Sequence, residues 1–200
     1  MLKQKIIQHF KKNDPKIYLL IKKYDLPVVK SKSQNDYFWH LARSIIFQQL
    51  SGRVGEVIAN RFLSLFPNNI AEPEKLIKLD AEKIRKAGIS YSKISYLKDL
   101  AKRTVSGEIN LKKISRLKDQ DVIDHLIIVK GIGQWTAEMF LMFSLGRMDV
   151  FSTGDLGLKN AIKRLYGLEE ISKEGMEQIS LKWSPYRTHA SFLLWKSLDA

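Results

Sequence analysis

The chain has 200 residues, of which 44% are hydrophobic and 28% charged, proportions typical of a globular protein. It contains no cysteine, which excludes disulfides, thiolate zinc sites, iron–sulfur clusters and cysteine nucleophiles. The 34 Lys and Arg residues against 21 Asp and Glu give a net charge of +13. This charge favours nucleic acid as a partner, and it leaves an anionic membrane surface or simple solubility open as alternatives.

Apolar residues recur at helical spacing along nearly the whole chain, and strand-like alternation is almost missing. Asp14 and Pro15 form a typical helix start, Asp80 is expected to cap a helix that ends at Gly88, and Ser51 can cap another. Further helices are predicted over 37–50, 93–105, 121–129, 135–144, from Asp155 onward, 174–181 and 185–198. We therefore expect a compact all-α fold of roughly ten helices.

Two of the predicted helices meet at the turn Gly131-Ile132-Gly133. The glycines permit backbone conformations that are closed to other residues, and they allow another backbone to come close. The first N–H groups of the second helix would then form an anion site suited to a DNA phosphate, with Ile132 packed inward. A plain αα-hairpin with a glycine turn is the alternative.

The residues around this turn resemble the helix–hairpin–helix DNA glycosylase superfamily, and within it the alkylbase branch, the 3-methyladenine DNA glycosylase II type. The resemblance is carried by VKGIGQWTAEMFLMFSLGRMDVFSTGDLGLKNAI and, in the family's order, by FWHLARSIIFQQLSGRVGEVIANRF, AGISYSKISYLKDLA and KWSPYRTHASFLLW. It implies a two-lobed helical bundle with the active site in the cleft between the lobes. One lobe would be 33–147, with the helix–hairpin–helix at about 121–146, and the other 1–32 plus 148–200.

The family places its catalytic aspartate on the loop after the second hairpin helix, which is Asp155 here. Breaking an N-glycosidic bond builds positive charge on the sugar. An ionised carboxylate can stabilise that charge and can orient or deprotonate water. From the residues alone Asp155 is also a good helix N-cap, and the two roles are compatible. Asp149 is the nearest rival, and we expect it to be a structural turn residue.

Bifunctional relatives carry a lysine just after the hairpin turn, and its amine attacks the sugar. Trp135 stands at that position here, and Lys130 lies before the turn. The resemblance therefore implies a monofunctional hydrolase of base excision repair that uses water and leaves an abasic site. A glycosylase for other damaged or deaminated bases and a non-catalytic helix–hairpin–helix DNA-binding module are the alternatives left open.

The target base must leave the duplex to be reached, and the resemblance places Trp135, Met139 and Trp195 at the base pocket. Alkylated purines such as 3-methyladenine and 7-methylguanine carry positive charge, so an indole face can add cation–π attraction. A Trp at helical spacing is more often a core residue, as we expect for Trp39 and Trp183. Met139 stands where some relatives have an aromatic residue, which leaves the width of the pocket open.

The gap left by a flipped base is filled in relatives from the turn between two early helices, so Gln49 and Leu50 are the candidates here. A simple turn is the alternative. Arg187 would either contact a phosphate or form an internal ion pair. The complete set of expected DNA-contacting residues is Gln49, Leu50, Ser51, Arg53, Lys130, Gly131, Ile132, Gly133, Gln134, Thr136 and Arg187.

We expect no cofactor, because the four histidines have no metal-ligand spacing. The resemblance allows one structural Na⁺ or K⁺ at the hairpin, held by the main-chain carbonyls of Ile127, Val129 and Ile132. The expected partner is damaged double-stranded DNA, without a membrane or an obligate protein partner, and the protein should be a monomer. The N-terminus has no signal-peptide pattern, so we expect an intracellular protein of the cytoplasm and nucleoid.

Overall fold

The structure is a computed structural model that describes residues 1–198, and within this range it contains helices, turns and loops but no β-strand. The predicted all-α fold class is confirmed. No helix in the same range is long and apolar enough to cross a membrane. The α-helices are α1 (Leu2–Asn13), α2 (Pro15–Tyr24), α3 (Tyr37–Phe47), α4 (Gly52–Leu63), α5 (Pro73–Lys78), α6 (Ala81–Lys86), α7 (Tyr91–Ser106), α8 (Asp119–Ile127), α9 (Gln134–Phe143), α10 (Leu156–Tyr166), α11 (Lys173–Ser180) and α12 (Arg187–Leu198).

The chain divides into two compact units. The central unit is Lys32–Phe140, and the discontinuous unit joins Met1–Ser31 to the segment from Leu141 onward. The resemblance had placed the corresponding lobe boundaries at 33 and 147. In the structure the second boundary falls within α9, so the end of that helix belongs to the discontinuous unit.

The central unit is built around α7, which packs against α3, α5 and α6, while α3 also packs against α4. Its apolar positions follow the helical period, so that Leu97 and Leu100 of α7 are fully buried with Leu41 and Ile45 of α3. Ser51 directly precedes α4, but its side chain makes no capping hydrogen bond, so this predicted cap is wrong although the helix start is right.

The discontinuous unit buries one apolar core between α1, α2, α10 and α12. Trp183 is fully buried there, as predicted, and its ring meets that of Phe151 edge to face. In the central unit Trp39 is only half-buried, and it stacks on Phe62 with ring centroids 6.2 Å apart. This core fixes the relative placement of α10, which Asp155 caps, and α12, which carries Trp195.

One buried carboxylate, that of Asp14, ties the N-terminal helices to the rest of the discontinuous unit. Its Oδ1 caps α2 by accepting from the amides of Lys16 at 3.1 Å and Ile17 at 3.4 Å. Its Oδ2 accepts from the indole of Trp183 at 2.8 Å and from the hydroxyl of Tyr166. Asp14 is only 3% exposed, so these bonds replace the water that the carboxylate loses on folding.

Replacing Asp14 with alanine should lower the free energy of unfolding by about 2–4 kcal/mol, because it removes a cap and leaves the Trp183 and Tyr166 donors without their acceptor. Asp80→Ala is the matched control, since Asp80 also caps a helix through two amides but lies near the surface. It should cost about 1 kcal/mol. Urea unfolding of both variants checks this, and equal losses would contradict the role of the buried donors.

A second buried polar group, the imidazole of His189 in α12, is 3% exposed. Its Nδ1 has no hydrogen-bond partner in the part of the chain that the structure describes. Burial lowers the pKa of His189 from 6.5 to about 4, because the imidazolium would lose its hydration. The side chain is therefore neutral in the folded protein at neutral pH.

This pKa predicts a specific loss of stability in mild acid. The unfolded chain binds the His189 proton near pH 6.5 and the folded chain only near pH 4, so the unfolded state holds more protons in that window. The free energy of unfolding should fall as the pH falls through the window, and His189→Gln should fall less steeply. Urea unfolding across the window tests this, with the exposed His125→Gln as control; identical slopes for wild type and His189→Gln would refute it.

Candidate functional site

The turn between α8 and α9 has the shape expected for a helix–hairpin–helix. Gly131 adopts a left-handed backbone with φ of 80°, and Ile132 packs inward with 4% exposure. Gly133 is exposed, and a Cβ added there would meet nothing within 4 Å. The first turn of α9 therefore starts at an open surface, where helix amides and the helix dipole favour an anion.

Asp99 of α7 binds the backbone of the hairpin. Its Oδ2 accepts from the main-chain amide of Lys130 at 2.9 Å and from Nε of Arg103 at 3.0 Å. Burial opposes ionisation, but the bonds from Lys130 and Arg103 outweigh it and hold the pKa of Asp99 below its ordinary value. The sequence reasoning missed Asp99, because its partner lies 31 residues away.

A cavity of about 550 Å³ opens beside the hairpin within the central unit. Its lining side chains are all uncharged and come from the end of α3, the turn after it and α9: Ser44, Phe47, Gln48, Gln49, Leu50, Trp135, Thr136 and Met139. The predicted pocket residues Trp135 and Met139 are therefore in one cavity, together with both candidates for filling the flipped-base gap. Trp135 keeps 47% of its surface exposed.

Phe47 forms an aromatic part of the cavity wall that the sequence reasoning missed, although it directly precedes the predicted turn. The Arg43 guanidinium lies over its ring, 3.9 Å from the centroid, and Arg43 also pairs with Glu56. A Cβ at Gly55 would come within 2.7 Å of the same ring. Arg43 and Gly55 therefore fix where the Phe47 ring lies.

The turn after α3, residues 48–51, is tied to the hairpin. Gln48 donates through Nε2 to the carbonyl of Gly131 at 2.7 Å. Gln49 is exposed and has a left-handed backbone with φ of 58°, unusual for a residue with a side chain. Leu50 is half-buried. Of the two candidates for entering a duplex, Gln49 is thus the more exposed.

Asp155 lies at the N-terminus of α10, in the discontinuous unit, and is 8% exposed. Its Oδ1 accepts from the amide of Leu158 at 2.7 Å, which makes it the N-cap that its sequence context predicts. The same oxygen accepts from Nε1 of Trp195 at 2.9 Å. The carboxylate is therefore oriented by one main-chain donor and one indole donor.

Trp195 was predicted as a base-pocket residue, and its indole N–H contacts the candidate catalytic group. Its ring stacks on Phe143, with centroids 5.9 Å apart, and lies at a similar distance from Phe192. A Cβ at Gly157 would approach the indole to 3.2 Å. This aromatic packing holds the indole N–H toward Asp155.

Arg187 forms the internal ion pair that was one of its two sequence interpretations. Nε donates to Asp149 Oδ1 at 2.9 Å, and Nη1 donates to Glu177 at 3.2 Å. Nη2 donates to the main-chain and side-chain oxygens of Asp149, which also accepts from Ser184. Although burial opposes ionisation, these bonds keep the pKa of Asp149 below its usual value. This geometry leaves the predicted phosphate contact of Arg187 without support, and it makes Asp149 structural.

The other predicted DNA contacts differ in accessibility. Ser51, Arg53 and the side chain of Lys130 are exposed, whereas Thr136 is buried at 6%. Gln134 is exposed and donates to Glu138 at 2.9 Å.

The carbonyls proposed to hold an alkali ion belong to the last residue of α8, Ile127, and to Val129 and Ile132 in the turn that leads to α9. That of Val129 accepts from the Ile132 amide at 3.0 Å, and a carbonyl oxygen has a second lone pair for an ion. Among residues 1–198, His, Asp and Glu side chains form no group that suits a metal ion.

Comparisons with known proteins agree with this geometry. Residues 42–185 match the family described as HhH-GPD superfamily base excision DNA repair protein. The chain is 37% identical over 171 residues to DNA-3-methyladenine glycosylase 1 of Schizosaccharomyces pombe, covering 84% of this chain and 75% of the relative. It is 33% identical over 166 residues to the Bacillus subtilis protein YfjP, covering 80% of this chain but only 58% of the relative.

A solved structure is similar over almost the whole chain. It is the S. pombe 3-methyladenine DNA glycosylase Mag1 in complex with abasic DNA, with a TM-score of 0.85 and 33% identity. The match covers 98% of this chain and 97% of that one.

The two hairpin glycines should respond differently to substitution. Gly131→Ala should cost about 2 kcal/mol or more of folding stability, because its φ of 80° strains a side chain and the new Cβ would lie 2.2 Å from the Tyr96 ring. Gly133→Ala is the matched control and should stay within about 1 kcal/mol of wild type. Thermal and urea unfolding measure both, and equal stabilities would contradict this account of the turn.

Proposed function

Because the chain belongs to the HhH-GPD superfamily of base excision DNA repair proteins, we propose that it is a monofunctional DNA glycosylase for alkylated purines. It hydrolyses the N-glycosidic bond of bases such as 3-methyladenine and 7-methylguanine in duplex DNA and leaves an abasic site. The observation that carries this proposal is Asp155, a nearly buried carboxylate oriented by two N–H donors after the hairpin. The protein acts as a monomer on the DNA of the cell.

Asp155 supplies the electrostatic part of the reaction. As the base leaves, positive charge grows on the sugar, and an ionised carboxylate lowers the energy of that state. The Leu158 amide at the N-terminus of α10 and the indole of Trp195 both donate to Oδ1 and hold the carboxylate in place. Asp155 then orients the attacking water and accepts its proton, which makes Trp195 a positioning residue.

The uncharged cavity beside the hairpin receives the flipped base. Its volume of about 550 Å³ lies within the usual range of small-molecule pockets, about 300–1,000 Å³. Trp135 offers an exposed indole face that attracts a cationic methylated purine, and Phe47 adds a second aromatic ring. A cationic base is also the better leaving group, so the cavity need not recognise each lesion by hydrogen bonds.

The hairpin positions the strand without reading its sequence. The amides that follow Gly133 hold a phosphate, and the exposed Arg53 and Lys130 add positive charge. Gln49 or Leu50 fills the gap left by the flipped base. The carbonyls of Ile127, Val129 and Ile132 would hold a Na⁺ or K⁺ ion that adds positive charge next to this phosphate.

Strand cleavage is not part of the proposed activity. A lyase needs an amine that attacks the sugar carbon and forms a Schiff base. Trp135 occupies the position after the turn, and an indole cannot form that bond. Water is therefore the nucleophile, and free base and an abasic strand are the products.

Asp155→Asn should lower base release at least about 100-fold, because the amide removes the charge that stabilises the sugar cation. Its stability should change little, since Asn caps helices as well as Asp does. The measurement is single-turnover release from oligonucleotides that contain 7-methylguanine, 8-oxoguanine, uracil or hypoxanthine, with a parallel assay for strand nicking. Asp80→Asn, which alters a cap elsewhere, serves as control.

The wild-type protein should release 7-methylguanine without nicking the strand. DNA binding without any base release would favour a non-catalytic module. Preferential release of one of the other three bases would show that the substrate is an oxidised or deaminated base and not an alkylated purine. Full activity in Asp155→Asn would contradict the catalytic role proposed for Asp155.

A further inference from the structure

One face of α7 contacts both the hairpin and the turn at 48–51. Lys93, Tyr96 and Asp99 follow one another at a spacing of three residues, so that successive members are neighbours on the helix surface. Asp99 binds the amide of Lys130, and the Tyr96 ring lies against Gly131, where a Cβ would approach to 2.2 Å. These two residues hold the hairpin on α7.

Lys93 holds the other segment. Its Nζ donates to the carbonyl of Ile46 at 2.8 Å and to that of Gln48 at 2.6 Å. Both carbonyls lie at the C-terminal end of α3, where helix carbonyls lack partners within the helix. Burial lowers the pKa of Lys93, because the ammonium is partly withdrawn from water.

Gln48 closes the arrangement, because its carbonyl accepts from Lys93 while its amide donates to the carbonyl of Gly131. The turn at 48–51 is thereby joined to the hairpin directly through Gln48 and indirectly through α7. The next residue, Gln49, has the left-handed φ of 58°, a conformation that persists only when its surroundings enforce it. Lys93 and Gln48 supply that enforcement immediately before it.

We propose that Lys93 and Gln48 are positioning residues that hold the turn carrying Gln49 and Leu50 in register with the phosphate-binding hairpin. A phosphate bound at the start of α9 then sets where the inserted side chain meets the duplex. This inference rests on the proposed function, since it explains how the inserted side chain is positioned when the base is flipped. Insertion takes place before the N-glycosidic bond is broken.

Lys98 provides an unusually close control. It lies on the same helix, its pKa is likewise lowered by burial, and its Nζ donates to the carbonyls of Ile77, at 2.9 Å, and Leu79. Those carbonyls lie at the end of α5 and not beside the hairpin. Lys93→Met and Lys98→Met therefore remove the same kind of contact from one helix, and we expect similar losses of stability.

The experiment uses a duplex with a tetrahydrofuran abasic analogue and 2-aminopurine in the opposite strand beside it, whose fluorescence reports insertion and unstacking. Lys93→Met should bind this duplex with nearly wild-type affinity but lose most of the fluorescence change. Its single-turnover release of 7-methylguanine should fall about tenfold or more, because a small misplacement is costly. Lys98→Met should keep both at the wild-type level, and Lys93→Arg should recover part of the signal.

Gln48→Leu removes the bond to the hairpin and keeps the main-chain carbonyl that binds Lys93, so it tests the proposal even if Lys93→Met folds poorly. Because the Gln48 side chain also lines the cavity, the fluorescence change is its decisive measurement. This variant should lose fluorescence change and release rate in the same proportion. Wild-type behaviour of both Gln48→Leu and Lys93→Met, or equal losses in Lys98→Met, would overturn the proposal. Because the fluorescence assay needs no chemistry, a wild-type protein that gives the signal but releases no base would overturn only the proposed function.

Discussion

The structure depends on carboxylates that exchange water for N–H donors. Asp14, Asp99 and Asp155 each accept from a main-chain amide and from a side-chain donor, and for each of them one of these two donors lies in a distant part of the chain. A buried anion is tolerated only when such donors surround it. Each aspartate therefore has two structural roles. It binds a donor close to it in the sequence, and it also links that segment to a distant part of the chain. At Asp155 the same requirement produces an oriented carboxylate.

The positively charged residues have two roles, since some of them bind groups of the protein itself and the net charge attracts a polyanion. Several lysines donate to main-chain carbonyl groups of the protein itself, including Lys16 to Leu165, Lys93 to Ile46 and Lys196 to Tyr24. Arg187 is likewise bound to carboxylates. The net charge of +13 still attracts a polyanion over a distance. The close contact proposed at the hairpin, by contrast, relies on main-chain amides, whose number does not depend on lysine content.

The sequence predicted those features that arise within a few residues of one another. The helical period identified the fold class, Asp14 and Asp155 were recognised as caps, and the hairpin motif led to the family that the comparisons confirm. Features that need two distant segments left no local pattern. Asp99 meets Lys130, and Gln48 meets Gly131, 83 residues apart. For the same reason the sequence left two interpretations of Arg187 open, and only its partners in the structure decide between them. The sequence also did not distinguish Gly131, which has a left-handed backbone against the Tyr96 ring, from Gly133, which has no neighbour within 4 Å of an added Cβ.

The double role proposed for Asp155 has a consequence for how this family can diverge. In the observed capping bonds an oxygen accepts from Leu158 and Trp195, and an amide oxygen can also accept. The proposed chemical task needs the charge. A single nucleotide change from an Asp to an Asn codon can therefore separate the two, leaving a folded protein with its hairpin and cavity intact. On the proposed mechanism, one codon change is therefore enough to turn a protein that releases a damaged base into one that only binds it.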